Sequence, residues 1–207
     1  QDDRLKEKNH DIDLLRDEEL LQVKIYYRPV SVDLSFFSSF LNLLKYIYFH
    51  YKGLSIIKKE FGTPDLVHVN VLTRLGALAL LYKWLTGTPY VVTEHWTRYL
   101  PHMDNFRATL RKYVSRKVVR NASAILPVTD NLRVAMESHG LNNKNYRIIP
   151  NVVDMNMFNV ISRSHDEEKK TFIHVSCFED KQKNISGILR VLKRLSDIRN
   201  DWTCQMV

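Results

Sequence analysis

The sequence predicts an α/β protein: a Rossmann-like parallel sheet with helices on both faces, followed by an incomplete second Rossmann-like unit. Apolar runs of strand length occur at residues 66–70, 90–93 and 122–128, and helix-length segments separate them. Apolar strands joined by helices indicate parallel pairing, because a parallel crossover needs a helix that covers the sheet. The same pattern starts again at residues 171–176, which predicts a second unit of the same class.

Composition indicates which partners and which compartment to expect. The 207 residues include 31 Lys and Arg against 23 Asp and Glu, for a formal net charge of +8, which favours an anionic partner. Cys177 and Cys204 have no metal-ligand spacing, so we expect neither a zinc site nor a disulfide scaffold and place the protein in the cytoplasm. No signal peptide is visible. Because the chain lacks an initial Met and ends inside an apparent strand, we interpret it as a fragment.

The first third of the chain predicts one strand and one long helix. Residues 1–20 are charged and weakly periodic, and we expect a lead-in without regular structure. Residues 21–29 alternate apolar and polar positions and end at Pro29, which is typical of a strand. Residues 35–61 repeat large apolar side chains at helical spacing. Polar residues interrupt this helix before the roughly 18 apolar residues of a membrane span, so it either covers a face of the sheet or lies at a lipid surface.

The predicted centre of the sheet is a strand, a helix and a second strand. The helix follows residues 66–70 and ends at Gly87, and the second strand is residues 90–93. Glu94 and His95 follow that second strand directly. Because ligands of open parallel sheets bind at the carboxyl ends of the strands, these residues mark a candidate site.

Residues 106–120 predict a helix with a basic face. Its apolar side chains recur at helical spacing: Phe106, Leu110, Tyr113, Val114 and Val118. Its six basic residues, with no acidic one among them, are Arg107, Arg111, Lys112, Arg116, Lys117 and Arg120. Two interpretations stay open: contact with anionic lipid or a polyanionic substrate, and a solvated helix face.

Further elements complete the α/β pattern. Residues 122–128 predict a strand, although Pro127 removes one ladder donor. A short helix follows at residues 132–139, with an N-cap offered by Thr129, Asp130 and Asn131 and a stop at Gly140, and residues 145–149 predict another strand.

The last part of the chain predicts a short second unit. Residues 162–170 are polar and rich in lysine, as in a linker. A strand at 171–176, a helix at 185–198 and a strand at 202–207 follow, too little chain to bury a core alone.

Five segments in order resemble glycosyltransferase family 4 of the GT-B superfamily. They are PDLVHVN (64–70), PYVVTEHW (89–96), ASAILPVTDNL (122–132), YRIIPNVVDMNMF (146–158) and TFIHVSCFEDKQKNISGILRVLKRL (171–195). The most specific motif is the Asn-x-Val-Asp-x-x-x-Phe junction, which Asn151, Val153, Asp154 and Phe158 match. The resemblance covers residues 21–207.

The resemblance implies a retaining enzyme of the hexosyl-transferase type that needs no metal or other cofactor. It would move a sugar from a nucleotide sugar to a glycan or lipid-linked acceptor in cell-surface polysaccharide synthesis. Residues 1–158 would be the acceptor-binding domain, without its first strand and helix, and 159–207 the linker and first β-α-β of the nucleotide-sugar-binding domain. The family's paired-glutamate donor motif is not among these residues, so we expect the fragment to be inactive. The basic helix suggests peripheral contact with the inner face of the membrane.

The resemblance also implies site residues by position. His95 corresponds to the family's strand-end His, which faces the donor sugar and helps to stabilise charge at the anomeric carbon. Four residues would contact the acceptor: Glu94, Trp96, Asn70 and Thr73. Lys183, or Lys181 in its place, would bind the donor diphosphate as a cation. Where the family usually has an Arg, this chain has Cys177.

Two other classes of protein stay open. One is a Rossmann-like binding module that uses the basic helix, and the other is a GT-B sugar-nucleotide epimerase. We do not expect nucleic acid as a partner, because the aromatic residues of 35–61 do not interleave with the basic residues of 106–120.

Overall fold

The computed structural model describes residues 10–17, 20–30, 35–101, 103, 106, 108–158 and 170–207. The chain divides into two compact units, Gln1–Val152 and Val153–Val207. The domain boundary expected from the sequence, after residue 158, lies within the second unit. The predicted linker at 162–170 lies outside the described residues except for Lys170.

An antiparallel hairpin opens the first unit. It consists of β1 (His10–Arg16) and β2 (Leu21–Tyr27), and its register pairs Ile12 with Ile25. The prediction of β2 is confirmed, but the expectation of an unstructured lead-in is wrong for residues 10–16. The charged side chains on both sides of Ile12 conceal β1 in the sequence, because its conformation depends on pairing with β2.

Helix α1 (Ser35–Phe61) is continuous over the predicted range. It packs against β2, where the ring of Phe49 is buried and stacks on Tyr27 with centroids 4.6 Å apart. The opposite side of the helix exposes large apolar residues: Phe37, Phe40, Leu44, Tyr48 and Tyr51. The helix therefore covers the hairpin with one face and leaves a second apolar face exposed. Among the described residues, no helix is long and apolar enough to cross a membrane.

A three-stranded parallel sheet is the centre of the first unit. Its elements in chain order are β3 (Val67–Asn70), α2 (Arg74–Thr86), β4 (Tyr90–Glu94), a 3₁₀ turn (Thr97–Tyr99), α3 (Thr109–Asn121), β5 (Ala124–Pro127) and α4 (Asp130–Ser138). The strand order is β3-β4-β5, with both pairs parallel. Helices α2 and α3 approach closely at Gly76, where a Cβ would lie 2.8 Å from Val118 Cγ1. The predicted βαβ organisation is confirmed.

The core lies between this sheet and its helices. Val92 on β4 and Ile125 on β5 are fully buried, and the Tyr90 hydroxyl donates to the Val118 carbonyl oxygen on α3 at 2.6 Å. The predicted strand at 145–149 is reduced to one parallel bridge, between Tyr146 and Ile125. We attribute this to Pro127, which has no N–H to continue the ladder on that side.

Helix α3 buries a face that overlaps only in part with the predicted one, because Val118 is buried and Val114 packs against the core. It begins at Thr109, so Phe106 is buried ahead of the helix instead of within its first turn. Ser115 and Val118 are buried, whereas Leu110 and Tyr113 are 75% and 56% exposed. The outward face therefore combines apolar and basic side chains.

The second unit contains one parallel strand pair. Its elements are β6 (Lys170–His174), α5 (Asp180–Lys183), α6 (Ile185–Ser196) and β7 (Trp202–Met206). The strands β6 and β7 pair in parallel, as predicted. Of the residues described in this unit, only Ile185 is buried, so the unit has almost no core of its own.

Candidate functional site

The carboxyl ends of β3 and β4 meet at one edge of the sheet, because Asn70 pairs with Thr93. The next residue, Val71, donates its N–H to the Thr93 carbonyl oxygen at 2.8 Å. Val71 has a φ of 71°, which is unusual for a β-branched residue. The chain then enters α2 through Thr73, whose side chain makes no capping hydrogen bond. The loop before α2 therefore lies beside the turn that follows β4.

Glu94 is fully buried at this edge. Its Oε2 accepts hydrogen bonds from the Leu72 N–H at 2.9 Å and the Tyr99 hydroxyl at 3.3 Å. Its Oε1 accepts from the N–H groups of His95 at 3.1 Å and Trp96 at 2.9 Å. Burial raises the pKa of Glu94, and these hydrogen bonds oppose the rise. We call this carboxylate and its four donors the Glu94 cluster.

The geometry of the Glu94 cluster differs from the acceptor contact that the sequence predicted for Glu94. An ionised carboxylate has about four lone-pair positions, and protein donors occupy them here. The side chain is turned into the protein and not toward a ligand. The structure therefore favours an organising role for this residue over contact with an acceptor hydroxyl.

His95 and Trp96 lie on the exposed side of the same turn. Trp96 is 41% exposed, and the guanidinium carbon of Arg98 lies 3.1 Å from the centroid of its ring. This contact covers one face of the indole. Arg98 Nε is buried with no hydrogen-bond partner among the described residues, and burial lowers the pKa of Arg98. The acceptor contact predicted for Trp96 stays a prediction.

The structure brings the predicted acceptor-side residues to one edge of the first unit. His95, Glu94 and Trp96 follow β4, while Asn70 and Thr73 lie at the end of β3 and the start of α2. Sequence reasoning missed three residues near this edge: Leu72, Arg98 and Tyr99. The only sequence signal for the last two was a cation and an aromatic residue shortly after Glu94.

The predicted donor-side residues lie in the second unit. Lys181 and Lys183 are exposed on α5, and Cys177 is exposed in the loop after β6. The carboxylate of Asp180 accepts from the Ser186 N–H at 2.6 Å and from its hydroxyl at 3.0 Å. This contact lowers the pKa of Asp180 and satisfies an N–H group in the first turn of α6.

The basic face of α3 is largely exposed. Its exposed basic residues in the described chain are Arg111, Arg116, Lys117 and Arg120, and Lys112 is half-buried. Arg107 lies outside the described residues. Arg116 has an internal partner, since its Nε and Nη2 donate to the His139 carbonyl oxygen at 3.1 and 3.0 Å.

The comparison with protein families identifies the family of the chain. A family model described as Glycosyltransferase Family 4 matches residues 3–156. The chain belongs to glycosyltransferase family 4. This assignment confirms the family that the sequence resembles, but the matched range does not include the segment at 171–195. The edge around His95 lies within the matched range of this family 4 chain.

Other known proteins add little to the family assignment. The S. aureus MnaA-UDP co-structure is similar at 18% sequence identity and a TM-score of 0.45. The similarity covers 80% of the family 4 chain and 47% of that structure, so the chain spans about half of its length. No curated protein matches the chain.

Proposed function

We propose that this family 4 chain forms the acceptor-binding side of a retaining glycosyltransferase. The enzyme transfers a hexosyl group from a nucleotide sugar to a saccharide or lipid-linked acceptor, without a metal or other cofactor, in cell-surface polysaccharide synthesis. The match of the family model to residues 3–156 supports this proposal most strongly. The exposed position of His95 at the carboxyl end of β4 supports it further, because ligands of open α/β sheets bind at such edges.

The proposed chemistry assigns a role to residues of each unit. Transfer breaks the bond between the anomeric carbon and a phosphate oxygen of the donor and forms a bond from that carbon to an acceptor oxygen, whose proton passes to the departing diphosphate. Positive charge develops on the sugar as the nucleoside diphosphate leaves. His95 would hydrogen-bond a sugar hydroxyl and stabilise that charge, while Asn70, Thr73 and Trp96 would contact the acceptor. Lys183 or Lys181 would offset the phosphate charge.

Calorimetry of the intact protein against UDP-, GDP- and ADP-linked hexoses tests this function. We expect one nucleotide class to bind and, with a suitable acceptor, to give a free nucleoside diphosphate and a new glycoside of retained configuration. Failure to bind any nucleotide sugar would contradict the proposal. Conversion of one nucleotide sugar into another without an acceptor would also contradict it and would indicate an epimerase.

We also propose that the outward face of α3 contacts anionic lipid at the inner, cytoplasmic face of the membrane. This face combines the exposed apolar side chains of Leu110 and Tyr113 with the exposed cations Lys117 and Arg120, and α3 contains no acidic residue. Apolar side chains among cations are typical of helices that lie at a lipid surface. Such contact would bring the site close to a lipid-linked acceptor.

We expect a triple variant to bind phosphatidylserine-containing vesicles about 100-fold more weakly, since each basic residue adds attraction to an anionic surface. The variant replaces Arg111, Lys117 and Arg120 by Gln. Co-sedimentation with these vesicles and with pure phosphatidylcholine vesicles measures the effect. The control replaces three exposed lysines outside α3, Lys24, Lys144 and Lys193, by Gln. An equal loss in both triple variants would show a general charge effect and refute the α3 surface.

A further inference from the structure

We propose that Glu94 is a positioning residue that holds the backbone of His95 and Trp96 and the loop at Leu72 in one fixed arrangement. The Glu94 cluster joins two separate stretches of chain, the loop before α2 and the turn after β4. This inference rests on the proposed function, because it concerns the group that places the proposed catalytic His95.

The hydrogen-bond inventory of the cluster supports this role. Its four donors are three backbone N–H groups and the Tyr99 hydroxyl, and the accepting carboxylate has no exposed surface. The bonds from Leu72 and Tyr99 are buried, and those from His95 and Trp96 are partly buried. Without this acceptor the Leu72 N–H is left buried and unpaired, which disfavours the present backbone arrangement.

Backbone strain next to the cluster supports the same interpretation. Val71 lies in the left-handed region with a φ of 71°, where a β-branched side chain is disfavoured. The N–H of the next residue, Leu72, donates to Glu94 Oε2. The N–H of Val71 donates to the Thr93 carbonyl oxygen. These two bonds fix the strained turn and set where the chain enters α2.

The electrostatic setting argues against a purely stabilising role. The charged and titratable groups near the carboxylate are Arg98 and Tyr99 on the 3₁₀ turn, and the ring of His139 donates to the Tyr99 carbonyl oxygen at 3.0 Å. Burial raises the pKa of Glu94 above its ordinary value. The folded chain therefore binds this proton more tightly than the unfolded chain, and ionising Glu94 costs stability as pH rises through that window. Because ionised Glu94 lowers the stability of the fold, its presence is better explained by the backbone arrangement that it holds.

Amide NMR of the intact protein tests the arrangement without any ligand. In the wild type, we expect the amide signals of Leu72, His95 and Trp96 to titrate together, with one midpoint above the ordinary pKa of a Glu. In Glu94→Gln this common titration disappears. The Gln side chain keeps one acceptor oxygen and replaces the other with an NH₂ donor, so we expect either the Leu72 amide or the His95 and Trp96 amides to exchange with solvent about tenfold faster. Three unrelated midpoints, or unchanged exchange in the variant, would overturn the proposal.

Two further variants separate positioning from general stability. Glu137→Gln is the matched control, because Glu137 is a half-buried Glu on α4 whose partner is Arg133. We expect it to leave all three amides unchanged. Glu94→Asp keeps the charge, and it should restore the common titration at least in part if Glu94→Gln does not fold. A folded Glu94→Asp in which the three amides no longer titrate together would overturn the proposal.

Sugar transfer then tests the consequence for His95. With the nucleotide sugar that the calorimetric screen identifies, we expect Glu94→Gln to lower kcat about tenfold while KM changes little, because a misplaced catalytic group affects the transition state more than binding. An unchanged kcat in the variant that has lost the amide titration would refute the positioning role. If the wild type transfers no sugar, the proposed function fails, and the amide titration alone decides whether Glu94 holds the two loops.

Discussion

Replacing His95 by Ala is expected to keep the fold and to reduce sugar transfer by about 100-fold or more. The side chain is exposed beyond the end of β4, so its removal leaves no cavity in the core. A group that hydrogen-bonds the reacting sugar and stabilises developing charge contributes at least this much to a transfer rate. Initial rates with the identified nucleotide sugar, together with circular dichroism to verify the fold, measure the effect.

His68→Ala is the matched control for this experiment. His68 is an exposed histidine on the neighbouring strand β3, and its Nε2 lies 2.7 Å from the Thr93 hydroxyl oxygen. It lies within the strand and not beyond its carboxyl end, so we expect nearly wild-type transfer. Undiminished transfer by the His95→Ala variant would refute the assignment, and an equal loss in both variants would point to a shared structural effect.

Helix ends that depend on one or a few adjacent residues could be predicted from the sequence. Gly87 ends α2 in the left-handed conformation, as its residue type indicated. Thr129, one of three adjacent candidates for the N-cap, caps α4 by accepting from the Leu132 N–H. Strand β1 could not be predicted in the same way. Its conformation depends on pairing with the next strand of the hairpin, β2, and its acidic residues obscure the alternation.

The apolar periodicity of α3 is compatible with more than one buried face. Leu110, Tyr113 and Val118 fit a helical stripe, but the helix also contains Ser115 and Val119, and these are the side chains that are buried with Val118. Small and β-branched residues allow α3 to lie close to α2 and the sheet, whereas the larger Tyr113 remains outside. The sequence shows which residues share a face, and the packing partner determines which face is buried.

The sequence predicted where the candidate site lies, but not which way its side chains point. The carboxyl end of β4 followed from strand direction alone, which placed Glu94, His95 and Trp96 at the edge. The inward direction of Glu94 did not follow, because it depends on Leu72 and Tyr99, which reach the carboxylate only in the folded chain. A polar residue beside a catalytic candidate can face the ligand or the protein, and only the donors around it distinguish the two.

The Ile125→Ala substitution is expected to lower the free energy of unfolding by about 2–5 kcal/mol, because it leaves a cavity at a fully buried position of β5. Urea denaturation followed by circular dichroism measures this loss. Ile148→Ala is the control with the same chemical change, since Ile148 is 43% exposed, and we expect it to cost less than about 1 kcal/mol. Equal losses would show that the sheet is not the core. Because β5 pairs with β4 up to Glu94, the loss at Ile125 should also increase exchange at the His95 amide.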